Sequence, residues 1–185
     1  MTGALVANRY AKSLLDLSTE LKVLDNTYND MVLINKTISE NTDLNLLLKS
    51  PVVNTDKKQN ILSEIFKSRI SELSSRFLEL ITSKKRENIV NNIATSFINK
   101  YKEANNIIEA ELTSAVKLET EQKKKIISLI NTDNKATVEI KETINSDILG
   151  GFIVKIKDKQ IDSSLTKEFR ELRNTFDKNL YIAEI

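Results

Sequence analysis

The 185-residue sequence contains neither histidine nor cysteine, and this removes most of the side chains that do chemistry in proteins. Without them there is no thiol nucleophile, disulfide, iron–sulfur cluster, imidazole base or His/Cys metal site. What remains is serine or lysine nucleophiles, carboxylate acid–base pairs and all-oxygen metal sites. Asp147, Asp158 and Asp162 are the best-spaced carboxylates, but they bracket a strand instead of sharing one loop, so they read as turn and cap residues. Ser163-Ser164 has no base at catalytic spacing and reads as helix caps. Gly150-Gly151 lacks the third glycine and following helix of a nucleotide fingerprint, and reads as a tight turn needing positive φ or a close backbone approach. The basic runs Lys84-Lys85-Arg86 and Lys123-Lys124-Lys125 are short, lack interleaved aromatics and read as solvated faces. The expectation is a protein with no catalysis, no cofactor, no metal and no nucleic-acid partner.

Composition agrees with a binding role. Hydrophobic residues make up 40% and charged residues 29%, enough apolar material for a folded core. Residues 1 to 105 carry 15 basic and 12 acidic side chains and residues 106 to 185 carry 13 and 14, so neither part is strongly charged. Residues 1–10 lack the basic and then apolar pattern of a secretory signal, and no apolar run approaches the roughly 20 residues that span a bilayer. A soluble protein is expected, reaching a membrane only through a partner.

The elements that would position binding residues fall into two groups. With three glycines and one proline, helices should dominate. Apolar residues recur at helical spacing in six stretches up to residue 105: Val6 to Leu21, Leu24 to Ile38, Leu44 to Leu48, Ile61 to Phe66, Ile70 to Ile81 and Ile89 to Tyr101. The third is stopped by Ser50-Pro51, and Asn54 or Thr55 can cap the fourth. After Asn106 the period becomes alternating at 108–113, 136–141 and 152–157, with a helix over 120–131 and a last helix starting at Asp162-Ser163-Ser164. The predicted fold is mainly α: a six-helix bundle over 1–105, followed by a small α+β domain over 106–185 with the order strand, helix, strand, strand, helix. Leu165, Phe169, Leu172 and Phe176 share one seam of the last helix, of which the sheet should take most. Ile153, opposite the Phe152/Val154/Ile156 face, is the clearest candidate to be exposed without a partner.

Four segments carry a family resemblance. They are Ala7-Asn8-Arg9-Tyr10-Ala11-Lys12-Ser13-Leu14; Leu47-Leu48-Lys49-Ser50-Pro51 with Lys58-Gln59-Asn60-Ile61-Leu62; Glu109-Ala110-Glu111-Leu112-Thr113-Ser114-Ala115; and Ile148-Leu149-Gly150-Gly151-Phe152-Ile153-Val154-Lys155-Ile156 with Asp158 and Ile161-Asp162-Ser163-Ser164. In this order and spacing they resemble the delta subunit of F-type ATP synthases, whose mitochondrial counterpart is the oligomycin-sensitivity-conferring protein. Ser163 stands where the family often has glycine, and Ser83-Lys84-Lys85-Arg86-Glu87 departs from its usual connection before the sixth helix.

The resemblance implies a non-catalytic stator component, one copy per complex, peripheral on the cytoplasmic face of a bacterial inner membrane. Its N-terminal domain would grip the N-terminal segments of the alpha subunits, and its C-terminal domain the end of the b subunit in the peripheral stalk. It places the helix of the alpha subunit in a groove between the first and fifth helices; the candidate contacts are Tyr10, Ala11, Leu14 and Leu15 on one wall and Phe77, Leu78 and Ile81 on the other, with Leu15 and Leu78 expected to face outward because they sit off the main stripes. Ile153, Leu165, Phe169, Leu172 and Phe176 would meet the b subunit, while Gly150 and Gly151 set the angle of the strand. Helical architecture alone also fits a free-standing adaptor outside the synthase.

Overall fold

The computed structural model describes residues 2–116, 118–130, 137–156 and 159–177. The chain is mainly helical and divides into two compact units, Met1–Asn105 and Asn106–Ile185. The first unit carries α1 (Thr2–Glu20), α2 (Leu24–Glu40), α3 (Thr42–Lys49), α4 (Thr55–Phe66), α5 (Glu72–Ser83), a 3-10 turn at Glu87–Ile89 and α6 (Val90–Ala104). Ser50 is extended (ψ 124°), as a residue before proline must be, and ends α3. Asn54 occupies the cap position of α4, but its side chain makes no capping bond.

One core serves these helices. Val90, Ile93, Ala94 and Phe97 of α6 meet Ala7, Ala11 and Leu14 of α1 and Met31, Ile34 and Ile38 of α2, with Leu62, Phe66, Leu78 and Ile81 completing it. Burying a side chain such as Phe97 contributes about 1.5–3 kcal/mol. Two polar clusters join elements across this core. The buried Asp30 carboxylate accepts from Ser71 N (2.9 Å), Ser71 Oγ (2.5 Å) and Ser74 Oγ (2.7 Å), so a residue of α2 satisfies the start of α5. The buried Lys58 ammonium donates to Leu48 O (3.1 Å), Ser50 O (2.6 Å) and Glu87 Oε1 (2.8 Å), spending its three protons on three different segments.

The second unit holds β1 (Ile107–Ser114), α7 (Thr120–Ile130), β2 (Thr137–Ile144), a 3-10 turn at Ser146–Ile148, β3 (Gly151–Ile156), β4 (Lys159–Ser164) and α8 (Leu165–Asp177). The sheet order is β2-β1-β3-β4, with β1 parallel to β2 and antiparallel to β3, and β3 antiparallel to β4. A parallel pair needs a crossover, and α7 supplies it. Ala110, Leu112, Val138, Ile140, Phe152, Val154 and Ile156 share one face of the sheet with Ile126 of α7.

The structure differs from the sequence reading in three places. A fourth strand, β4, occupies 159–164, so Asp162 and Ser163 lie in the sheet and the last helix begins only at Leu165. Of the three expected caps Ser164 is the one that acts, its Oγ accepting from Lys167 N at 3.3 Å. Asp162 Oδ1 instead accepts from Ser164 N (3.0 Å). The Ser164 hydroxyl and N–H, then Lys167 and Arg170, hold that carboxyl below its ordinary value. Finally, Ile153 is half-buried, not exposed.

Candidate partner-docking surfaces

Among the described residues no group of three Asp and Glu side chains is placed to hold a metal ion. Asp147 lies in the 3-10 turn, its N–H bonded to Asn145 Oδ1 (3.0 Å), and Asp158 lies outside the described residues. Lys123 is spent on an ion pair with Glu142 that ties α7 to β2. Two apolar surfaces stand out among the described residues.

The first is the gap between α1 and α5. Tyr10 and Phe77 meet across it edge to face, ring centroids 6.4 Å apart, and the Arg86 guanidinium lies 5.7 Å over the Tyr10 ring. Ala11, Leu14, Leu78 and Ile81 are buried in the core, so four of the seven residues expected on the walls, including the supposedly outward Leu78, cannot face a partner. Leu15 is half-buried, and residues five apart on a helix stand about 140° apart, so it belongs to the flank of α1 away from Tyr10.

The same geometry turns other residues to the side of Tyr10 and Phe77. Leu17 lies within about 20° of Tyr10 around α1, Leu21 follows the end of that helix with its N–H still bonded to Leu17 O (3.0 Å), and both are exposed. Leu73, Phe77 and Leu80 recur at spacings of four and three on α5, Leu80 exposed and the other two half-buried. Leu21 and Leu73 share a depression of about 470 Å³ with Val23, Ser71 and Arg76. Helical spacing alone could have found Leu17, Leu21, Leu73 and Leu80.

The second surface is α8. Leu165, Phe169, Leu172 and Phe176 share one face and are 41%, 61%, 54% and 84% exposed. The spacing predicts that the sheet takes most of this stripe; it does not, because the apolar face of the sheet is already occupied by α7. Four large apolar side chains on one helix face form a contiguous unburied patch of the kind that marks a binding surface. Ile153 is paired with Asp162 of β4 and Thr113 of β1 on the opposite, mostly polar face of the sheet.

Gly150 and Gly151 serve the backbone that carries α8. Gly151 has φ +79°, and a Cβ there would lie 2.2 Å from the Ser163 carbonyl oxygen of the paired strand. Leu165 N donates to Gly150 O (3.1 Å), and Thr166 Oγ1 to Ile148 O (2.9 Å), so the turn holds the start of α8.

Comparison with known proteins gives one family. The family model described as ATP synthase delta (OSCP) subunit matches residues 6–176. ATP synthase subunit delta of Chlorobaculum parvum is 33% identical over 175 residues, covering 95% of this chain and 97% of its own. Its counterpart in Chlorobium luteolum is 35% identical over 175 residues, with 95% and 97% covered. That of Christiangramia forsetii is 31% identical over 185 residues, with 100% of both chains covered. A chain of the Toxoplasma gondii mitochondrial ATP synthase hexamer, solved by cryo-EM, shares the fold at a TM-score of 0.69 and 16% identity, over 94% of this chain and 98% of that one. On the match across 6–176 and these full-length relatives, the chain belongs to the ATP synthase delta (OSCP) subunit family, a non-catalytic part of that complex.

Proposed function

We propose that this protein is a stator link: its first unit holds the N-terminal segments of the alpha subunits at the catalytic head, and its second holds the end of the stalk formed by the b subunit, so that the head resists rotor torque. The observation that carries the reading is that the two units each leave one helical apolar surface open, the α1–α5 gap in the first and the α8 stripe in the second. In this reading the six helices of the first unit act as one bundle. An amphipathic helix fits a gap lined at i, i+3, i+4 spacing. The Leu165/Phe169/Leu172/Phe176 seam, at spacings of four, three and four, matches a helical partner such as a stalk helix.

Such a link works by slow dissociation and needs no active site. The protein sits peripherally on the cytoplasmic face of a bacterial inner membrane, one copy per complex, and meets the bilayer only through its partners. No helix of the described residues is long and apolar enough to cross a membrane, in keeping with that placement. Tagged full-length chain, isolated from its own cells under mild detergent, is expected to carry the alpha and b subunits with it. Recovery of other partners and neither of these would instead favour an adaptor outside the synthase.

A further inference from the structure

The sheet of the second unit ends on one side in a strand with an open flank. β2 is the outer strand beside β1, at the far edge from β4 and the helix that follows it, and no described strand pairs with its other side. It is 8 residues long, paired with β1 in unbroken register, rich in the β-branched residues Thr137, Val138, Ile140, Thr143 and Ile144, and free of the proline, glycine or bulge that blunts an edge. Half of its peptide groups therefore point outward without a partner strand. Val138 and Ile140, on the face that carries α7, are only half-buried, whereas Ala110 and Leu112 of β1 on the same face are fully buried. The face away from α7 adds a charge pattern. Along it the register sets Lys155 of β3, Glu111 of β1 and Lys141 of β2 side by side, but it sets Glu109 of β1 directly against Glu139 of β2, two like charges that repel.

We propose that the free edge of β2 binds a second copy of this chain, the two β2 strands pairing antiparallel about a twofold axis at Ile140 and joining two four-stranded sheets into one. Side chains alternate between faces, so a symmetric antiparallel pair must set some residue opposite itself. Centred on Glu139 or on Lys141, the pair sets like charges face to face. Centred on Ile140, it sets Glu139 opposite Lys141 of the second copy, twice, with Thr137 opposite Thr143 and Ile140 against Ile140. The row Lys155, Glu111, Lys141 then continues into Glu139 of the second copy. A carboxylate has two oxygens, so this cation adds to any bond that Glu139 makes within its own chain. On the other face Ile140 gains the cover it lacks, and Val138 meets Glu142, which Lys123 already neutralises. The opposite edge fits worse, because Ile161 is the one apolar residue of β4 and the Asp162 carboxyl is engaged by Ser164 N. One edge of this length makes a small interface, so the pairing is reversible and belongs to chains outside the synthase.

Charge reversal tests this register without touching the core, since Glu139 and Lys141 are both exposed. Sedimentation velocity of the full-length chain at rising concentration is expected to show a reversible monomer–dimer equilibrium. Glu139→Lys and Lys141→Glu, each with its melting temperature unchanged, should each weaken the dimer about tenfold or more, because two attractive pairs become repulsive. Glu139→Lys/Lys141→Glu in one chain should restore it, and an equimolar mixture of the two single variants should form the mixed dimer that neither forms alone. Amide exchange should slow at alternate residues of β2 as the dimer fills and stay unchanged along β4. Phe169→Asp/Leu172→Asp should dimerise as the unaltered chain does. A chain that stays monomeric up to about 1 mM, or a dimer indifferent to the single charge reversals, overturns the proposal. So does a dimer lost on changing Phe169 and Leu172, which would move the contact to α8.

Discussion

Gly151 and Lys58 show how much of this molecule is decided by single residues that bind nothing. At Gly151 a side chain meets both a positive φ and the Ser163 carbonyl, and the second cannot move without breaking the β3–β4 ladder. Gly151→Ala is therefore expected to destabilise the second unit by about 1–3 kcal/mol or more, read as a lower melting transition of that unit. Gly150→Ala meets only the tip of Leu165, which can rotate, and should cost less. Lys58 is different in kind, because its worth lies in what its removal leaves behind. Lys58→Met strands the Glu87 carboxylate at a buried site and is expected to cost about 3–5 kcal/mol in urea denaturation, while Lys58→Met with Glu87→Leu recovers most of that loss. Equal losses in the single and double variants would show that the bonds to Leu48 O and Ser50 O, and not the stranded carboxylate, carry the cost.

Elements differ in how far the sequence reveals them, and the difference is physical. The six helical stretches and the change of period after Asn106 were legible because each element buries one face of a strongly patterned segment. β4 was not, since an edge strand need not alternate: Lys159-Gln160-Ile161-Asp162-Ser163-Ser164 has one apolar residue, and its Asp and Ser residues look like caps. Nor was the division of labour on α5 legible. Leu78 and Ile81 are buried in the core, Leu73 and Phe77 pack half-buried against its edge and Leu80 is exposed, yet all five recur at the three- and four-residue spacings of one helix. Only burial separates them. The same holds for α8, whose stripe has the spacing of a core face but no core to meet. Phe169→Asp and Leu172→Asp should accordingly change stability by no more than about 0.5 kcal/mol, as surface substitutions do, while weakening binding of a segment from the b subunit by about thirtyfold or more. Ile81→Asp, a core change on α5, should instead unfold the first unit. Thermal melts alongside binding isotherms separate the two outcomes; a large melting loss for Phe169→Asp would mean that the stripe is buried within the chain.

For the whole molecule, the proposed stator role calls for two units that fold and bind independently, and the chain does divide into two compact units. Residues 1–105 hold a complete apolar core of their own and, expressed alone, should give a helical circular-dichroism spectrum and one cooperative melt. A disordered spectrum would move the boundary. The second unit is smaller, with a core of Ala110, Leu112, Ile126 and Val154 and their half-buried neighbours, and is expected to gain stability when a partner covers α8. A rigid connection between head and stalk requires that both surfaces be occupied together and that neither depend on the other. Sedimentation of the full chain with two peptides, one from the N-terminal end of the alpha subunit and one from the C-terminal end of the b subunit, tests this directly. The stator account predicts a ternary complex, from which Leu17→Asp/Leu80→Asp removes only the alpha peptide and Phe169→Asp/Leu172→Asp only the b peptide. Competition between the two partners, or loss of both from either double variant, would contradict it.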